Sequence, residues 1–292
     1  MLLKTISYHL AAGVTLLSLS AALKAQDAAP SSKQILTPWG YRDSANFHQI
    51  PDGYDLGIMP DGHVRLENPT TGDYIDFEKP ATAAVKPLPD TGWQTDANWY
   101  NSGDTVTSFT TAWKVPPAPS NYDGQTLFQF NAIEPASFEA ILQPVLQYGV
   151  SADGGGEYWA VASWYVTGSQ AFASKLTEVK TGKSLTGVIK LISEKNSLAK
   201  YSCEFTGIAK SKFTIKNIPP LVWLTETLEV YNVDVCADYP NTAFSEMSKI
   251  DVKIKNKTAP ATWSISDGET GCGVQTTVVT QGGKDGAVDI YY

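Results

Sequence analysis

The stretch Leu221–Tyr231, LVWLTETLEVY, decides how this chain is read. Side chains of a β-strand alternate between its two faces. One face therefore carries Val222, Leu224, Glu226, Leu228 and Val230; the other carries Leu221, Trp223, Thr225, Thr227 and Glu229. A single carboxyl, Glu226, shares its side with four apolar neighbours. Low dielectric disfavours an ionised carboxylate and raises its pKa, and shifted carboxyls mark acid/base sites. The same pattern also fits a solvent-lined face or a plain structural acceptor, and periodicity alone favours that reading.

Working outward, short strand-like runs follow one another from Gly92 with almost no helical period. They include Thr105–Val115, Leu127–Ile133, Ile141–Tyr148, Tyr158–Val166, Ser184–Ile192, Ala199–Phe205 and Phe213–Ile218. Ile250, Val252 and Ile254 alternate with Asp251, Lys253 and Lys255, the mark of a half-exposed strand. Strands without intervening helices predict an all-β fold, a sandwich or barrel. Upstream, Asp52-Gly53, Pro60-Asp61-Gly62 and Thr71-Gly72-Asp73 read as hairpin turns. Lys79–Thr91, rich in Ala, Pro and Lys, reads as a linker open to proteolysis. Residues 26–91 thus form an N-terminal segment that either stays attached or is removed as a pro-region, and 92–292 form the main β domain.

Residues 1–25 read as a secretory signal peptide: Lys4 is its positive start, Leu10–Leu19 its short apolar stretch, and Ser20-Ala21-Ala22 or Leu23-Lys24-Ala25 its cleavage site. No later run approaches the ~20 apolar residues of a membrane helix, so a secreted, soluble monomer is expected. A net charge of −8 argues against nucleic acid and anionic membranes as partners. The cysteines number three, leaving one unpaired. Cys203 falls on the apolar face of Ala199–Phe205 and reads as a buried thiol, which leaves Cys236 and Cys272 as the candidate disulfide. Asn256-Lys257-Thr258 is a candidate glycosylation site on a surface loop.

The histidines are His9, His48 and His63, none of them in the β domain. A Ser-His-Asp or Cys-His catalyst inside that domain is excluded unless the N-terminal piece supplies the base. No spacing suits zinc, no phosphate loop is present, and neither metal nor cofactor is expected. Any hydrolase here must work with carboxyls, amides and water.

From Trp99 to about Phe244 the chain resembles the glutamic peptidases, or eqolisins. Phe109–Pro116 resembles their strand ending in Val-Pro, and Ala132-Ile133-Glu134 their Gly-Ile-Asp segment. Ala140-Ile141-Leu142-Gln143 resembles the segment presenting the catalytic glutamine, Tyr158–Tyr165 the aromatic strand after it, and Leu221–Glu229 the strand bearing the catalytic glutamate. The resemblance implies a concanavalin-like antiparallel β-sandwich, a protein or peptide substrate, and a catalytic pair Gln143 and Glu226. Glu226 would activate water as a general base, and Gln143 would donate to the developing oxyanion. Glu134, Trp159, Trp164, Tyr165 and Trp223 become candidate cleft residues. The sequence departs from the family pattern at Val161 and Ser163, where a Trp and an acidic residue are usual, at Glu134, and in lacking a cysteine before Ile141. A non-catalytic module binding carbohydrate or peptide on the same sandwich is the second reading.

Overall fold

A computed structural model describes residues 33–79, 92–268 and 271–292. Residues 1–32, which include the expected signal peptide, and the expected linker beyond Lys79 lie outside the described residues. The residues described belong to one compact unit.

Two large sheets stack face to face, as the alternation requires. Among the described residues one sheet has nine strands, the other eleven, and a two-stranded ribbon pairs Gln34–Thr37 with Gly40–Asp43. The nine-stranded sheet is centred on Trp93–Tyr100, Leu221–Tyr231, Thr126–Pro135, Ala140–Ser151 and Gly154–Thr167, adjoining in that order. The eleven-stranded sheet is centred on Phe244–Ile254, Val106–Lys114, Ser184–Lys195, Leu198–Phe205 and Phe213–Ile218. These strands pair antiparallel with their neighbours. The fold is an all-β sandwich, one of the two architectures that the strand pattern predicts.

Burial along the strands departs from a simple two-layer sandwich. Ser184–Lys195 alternates in its first half between buried and more exposed positions, as a strand with one wet face should. Thr126–Pro135 is buried throughout, and Ala140–Ser151 everywhere except Val150. Both of their faces must therefore be covered. The inner face packs against the second sheet, joining Leu142, Leu146, Ile133 and Leu224 to Phe109, Ile189 and Tyr201. On the outer face Phe130, Ile141, Val145 and Trp164 pack with Leu36 and Trp39 of the N-terminal ribbon. Each large apolar side chain so covered contributes about 2 kcal/mol.

The N-terminal segment is sewn into both sheets. Phe47–Gln49 lies parallel to Ala171–Ala173 on the edge of the nine-stranded sheet, and Asp55–Ile58 lies parallel to Phe213–Ile218 on the other. These parallel pairs depart from the purely antiparallel expectation: the segment enters at free edges from outside the main chain order. Pro60-Asp61-Gly62 and Thr71-Gly72-Asp73 do turn antiparallel hairpins. Asp52-Gly53 instead carries the chain from one sheet to the other.

Cys236 and Cys272 are disulfide-bonded with Cα atoms 5.4 Å apart, and Cys203 is a buried free thiol. Asn256 sits in an exposed turn with φ of 61°, beside Lys255 at 50°. The disulfide links residues 36 apart in sequence, a loop whose closure entropy is worth about 4 kcal/mol in the chain-entropy treatment. Replacing both cysteines by serine should lower the denaturant-measured unfolding free energy by about 2–4 kcal/mol. An unchanged midpoint would show that the bridge contributes nothing.

Candidate functional site

Register decides which candidate residues meet. The pairs Leu142–Ile133 and Val145–Phe130 set Gln143 beside Ala132, and Ala132 pairs with Thr225 while Asn131 pairs with Glu226. Residues directly opposite on adjacent strands share a face. Gln143, Ala132 and Thr225 therefore line the outer face, and Asn131 and Glu226 the inner one. The expected pair Gln143–Glu226 is not assembled: the sheet lies between them, and one water cannot touch both.

Glu226 instead occupies the dry space between the sheets. It is fully buried, and one carboxyl oxygen accepts from the Thr111 hydroxyl of the opposite sheet. Its other oxygen and both polar atoms of Asn131 lack a hydrogen-bonding partner. Gly187 faces them, where a Cβ would collide with the Asn131 side-chain oxygen and the Pro144 ring. Burial pushes the Glu226 carboxyl well above its usual range, with Thr111 opposing only in part.

The outer face holds a different set of polar groups. Gln143 is fully buried beneath the ribbon; its amide Nε2 lies 3.5 Å from the Pro38 carbonyl oxygen, and its Oε1 has no partner. Glu229, at an odd position of its strand like Thr225, shares this face. The backbone N–H of Trp39 donates to both Glu229 carboxyl oxygens, at 2.8 and 2.9 Å, and the Tyr231 hydroxyl donates at 2.5 Å. The Gly40 N–H is a further partner, and the Arg42 guanidinium adds its charge. Burial outweighs all of these and pushes Glu229 up to about 7. The Pro38–Trp39 peptide unit thus has its carbonyl toward Gln143 and its N–H on Glu229.

Glu134 also faces outward, paired with Trp223. Burial and then the nearby charge of Asp96 raise it to about 8, and one of its oxygens is unpartnered. Asp96, held by the Asn98 side-chain amide at 2.7 Å, is raised to about 6, chiefly by burial. Above this pair, Trp93 stacks on Trp223 at 5.8 Å, Phe138 meets Trp223 edge-on at 5.3 Å, and Tyr100 adjoins Phe138. Phe138 and Tyr100 are exposed. Of the other aromatic candidates, Trp164 is buried in the outer core beside Phe47, while Trp159 and Tyr165 belong to the inter-sheet core. Trp159 and Tyr165 therefore line no outer cleft.

Sequence reasoning missed Glu229, Asp96 and Tyr231. The alternation had placed Glu229 opposite Glu226, and only the ribbon, 190 residues away in sequence, makes that face buried. Among the described residues no group of three His, Cys, Asp or Glu side chains is placed to hold a metal. No helix among them is long and apolar enough to cross a membrane. A surface cavity of about 760 Å³ lies elsewhere, against Lys114, Ser184, Phe244 and Lys249, and contains none of these groups.

Fold and site together define a β-sandwich with a carboxyl-and-amide face closed by its own N-terminal ribbon. No protein-family model matches the chain, and no curated protein matches its sequence. Among solved structures it is similar to scytalido-glutamic peptidase bound to a peptide-based transition-state analogue, at 13% identity and TM-score 0.44, covering 68% of this chain and 98% of that one. It is similar to SCP-B, a member of the eqolisin family in complex with the tripeptide Ala-Ile-His, at 12% identity and TM-score 0.42, covering 68% and 98%. A Bacillus licheniformis β-glucanase matches at 10% identity and TM-score 0.28, covering 68% and 80%. Similarity this low establishes neither family membership nor activity.

Four buried carboxyls and the half-buried Asp153 are raised: Asp96 and Asp153 to about 6, Glu229 to about 7, Glu134 to about 8, and Glu226 well above its usual range. A group whose folded pKa exceeds its unfolded value stabilises fully below the unfolded pKa, and that stability is lost as pH rises through the folded value. Unfolding free energy should therefore be highest below about pH 4 and fall from there to about pH 8. Glu226→Gln should lessen the fall at high pH and change little below about pH 4. Denaturant titrations showing stability rising toward neutral pH contradict these assignments.

Proposed function

We propose that this chain is a secreted, acid-acting endopeptidase whose working face is the outer face of the nine-stranded sheet. Gln143 is its oxyanion donor, Glu229 its acid/base group, and the N-terminal ribbon keeps it latent. One observation carries the reading: a peptide bond already lies on this face, with its carbonyl oxygen toward a carboxamide and its N–H on a buried carboxyl. The resemblance to glutamic peptidases supplies the role of Gln143. The disulfide and the raised carboxyls fit an oxidising, acidic surrounding.

The chemistry follows from the two side chains once the ribbon is displaced. A carboxylate at Glu229 takes a proton from water, whose oxygen adds to the substrate carbonyl carbon. Negative charge then develops on the carbonyl oxygen, where the Gln143 amide donates; such a donor is worth about 3 kcal/mol in the transition state. Glu229 returns the proton to the departing amine. With the face open to water, the desolvation that raises Glu229 is removed, so it ionises in acid. The half-exposed wall of Trp93, Trp223, Phe138 and Tyr100 offers apolar area for substrate side chains.

That wall also favours a second reading, a non-catalytic module binding peptide or carbohydrate at the same face. Retention on a glycan array by a variant without peptidase activity would support it.

The test is digestion of denatured protein in acid by the full chain and by a Trp39→Ala variant, which loosens the ribbon. Cleavage should fall about 10²–10⁴-fold in Glu229→Gln and about 10²–10³-fold in Gln143→Ala. Glu226→Gln should retain it. Loss of activity in folded Glu226→Gln with retention in Glu229→Gln, or no cleavage by any form, removes the proposal.

A further inference from the structure

We propose that Tyr231 positions Glu229, its hydroxyl holding one carboxyl oxygen so that the other is left to accept the proton of water. The inference rests on the reading above and adds to it a positioning residue, together with the backbone group that aims that residue.

Three observations carry it. Tyr231 follows Glu229 by two positions on one strand, so both side chains stand on the outer face, and the Tyr231 hydroxyl donates to Glu229 Oε1 at 2.5 Å. That hydroxyl is itself aimed. Its oxygen accepts from the Gly92 N–H at 3.1 Å, while the Gly92 carbonyl accepts from the Val230 N–H at 2.6 Å. With the phenol oxygen so engaged, its proton is directed to the carboxyl. Finally, the approach requires a glycine at position 92. A Cβ there would collide with the Val230 carbonyl oxygen and lie 3.0 Å from Tyr231 Cζ, inside the separation at which carbon atoms pack.

Every bond in this series lies within the main domain, which separates Tyr231 from the other groups around Glu229. The Trp39 and Gly40 N–H groups and the Arg42 charge belong to the ribbon and leave when it is displaced. On the adjoining strands Trp93 and Phe128 stand opposite Glu229, and neither titrates. The Tyr231 ring loses Tyr41, its edge-on neighbour in the ribbon at 5.6 Å, and keeps Phe128 at 6.3 Å. Among the described residues Tyr231 is therefore the donor to Glu229 that remains once the face is open.

The two carboxyl oxygens thereby acquire different roles. Oε1 is tied to the phenol, and Oε2, which in the closed form accepts from Trp39, is bare and faces the incoming water. A hydrogen bond to the charged form of a carboxyl favours that form, so Tyr231 lowers the pH at which opened Glu229 becomes a base. A phenol ionises at about pH 10, so the hydroxyl keeps its proton and donates across the whole acid range. Tyr231 neither gains nor loses a proton in the reaction. The proton of water goes to Glu229 Oε2 and from there to the departing amine.

The experiment measures kcat/KM for an added unstructured peptide against pH in the full chain bearing Trp39→Ala, alone and combined with Tyr231→Phe or Tyr231→3-fluorotyrosine. The acid limb of that profile reports the base in the free enzyme. In Tyr231→Phe the limb should rise by about one to two pH units, and kcat should fall with KM unchanged, because Tyr231 does not touch the substrate. 3-Fluorotyrosine, a more acidic phenol and so a stronger donor, should keep activity and move the limb the opposite way. Damaged packing alone would lower kcat at every pH and leave the limb in place. Protection of the buried Cys203 thiol from labelling verifies that each variant is folded; where Tyr231→Phe unfolds or is too slow to profile, the fluorinated variant decides. A limb that stays in place in either folded variant overturns this inference alone. No cleavage by any form, Trp39→Ala included, overturns it together with the function it rests on.

Discussion

The contact between the Glu229 carboxylate and the backbone of Trp39 and Gly40 organises the outer half of the molecule. A carboxyl with no exposure to water is costly unless donors surround it. Here they come from a turn that joins the sandwich from the far end of the sequence, together with Tyr231. With the turn in place, Leu36 and Trp39 close over Phe130, Ile141, Val145 and Trp164, and a sheet face that would otherwise be wet becomes a second core. Without it, Glu229 and Gln143 would face solvent across an open groove.

The two faces of the Leu221–Tyr231 strand therefore do different work. Inward, Glu226 accepts from Thr111 in a packed space that Gly187 makes possible, and burial raises its pKa. Outward, Glu229 is poised close to neutrality with a peptide N–H upon it. A carboxyl of that kind serves as either proton donor or acceptor, whereas Glu226, sealed between the sheets, only accepts from the Thr111 hydroxyl.

Much of this was legible in residues alone. Alternation in Leu221–Tyr231 placed Glu226 among apolar side chains, which is where it lies, and the face argument for Cys203 left Cys236 and Cys272 to the bridge they form. What the strand pattern could not carry was the meaning of burial. Periodicity alone favours a structural role for Glu226, only the resemblance makes it a reactive group, and its face is the dry side of the sandwich. Nothing in the alternation marks the face of Thr225, Thr227 and Glu229 as covered, because local periodicity has no knowledge of a ribbon 190 residues distant. The resemblance points to Glu226 on this strand, whereas the carboxyl that shares the outer face with Gln143 is Glu229. A two-residue alternation makes that difference absolute: moving one position changes the face.

The most direct measurement is a crystal structure of the loosened chain soaked with a peptide analogue whose scissile carbonyl is replaced by a tetrahedral hydroxyl group. The account predicts the ribbon turned away and the hydroxyl lodged between Gln143 and Glu229, with Glu226 still bonded to Thr111 between the sheets. An analogue bound at any other surface, with the Pro38–Trp39 turn undisturbed over Gln143, would contradict it.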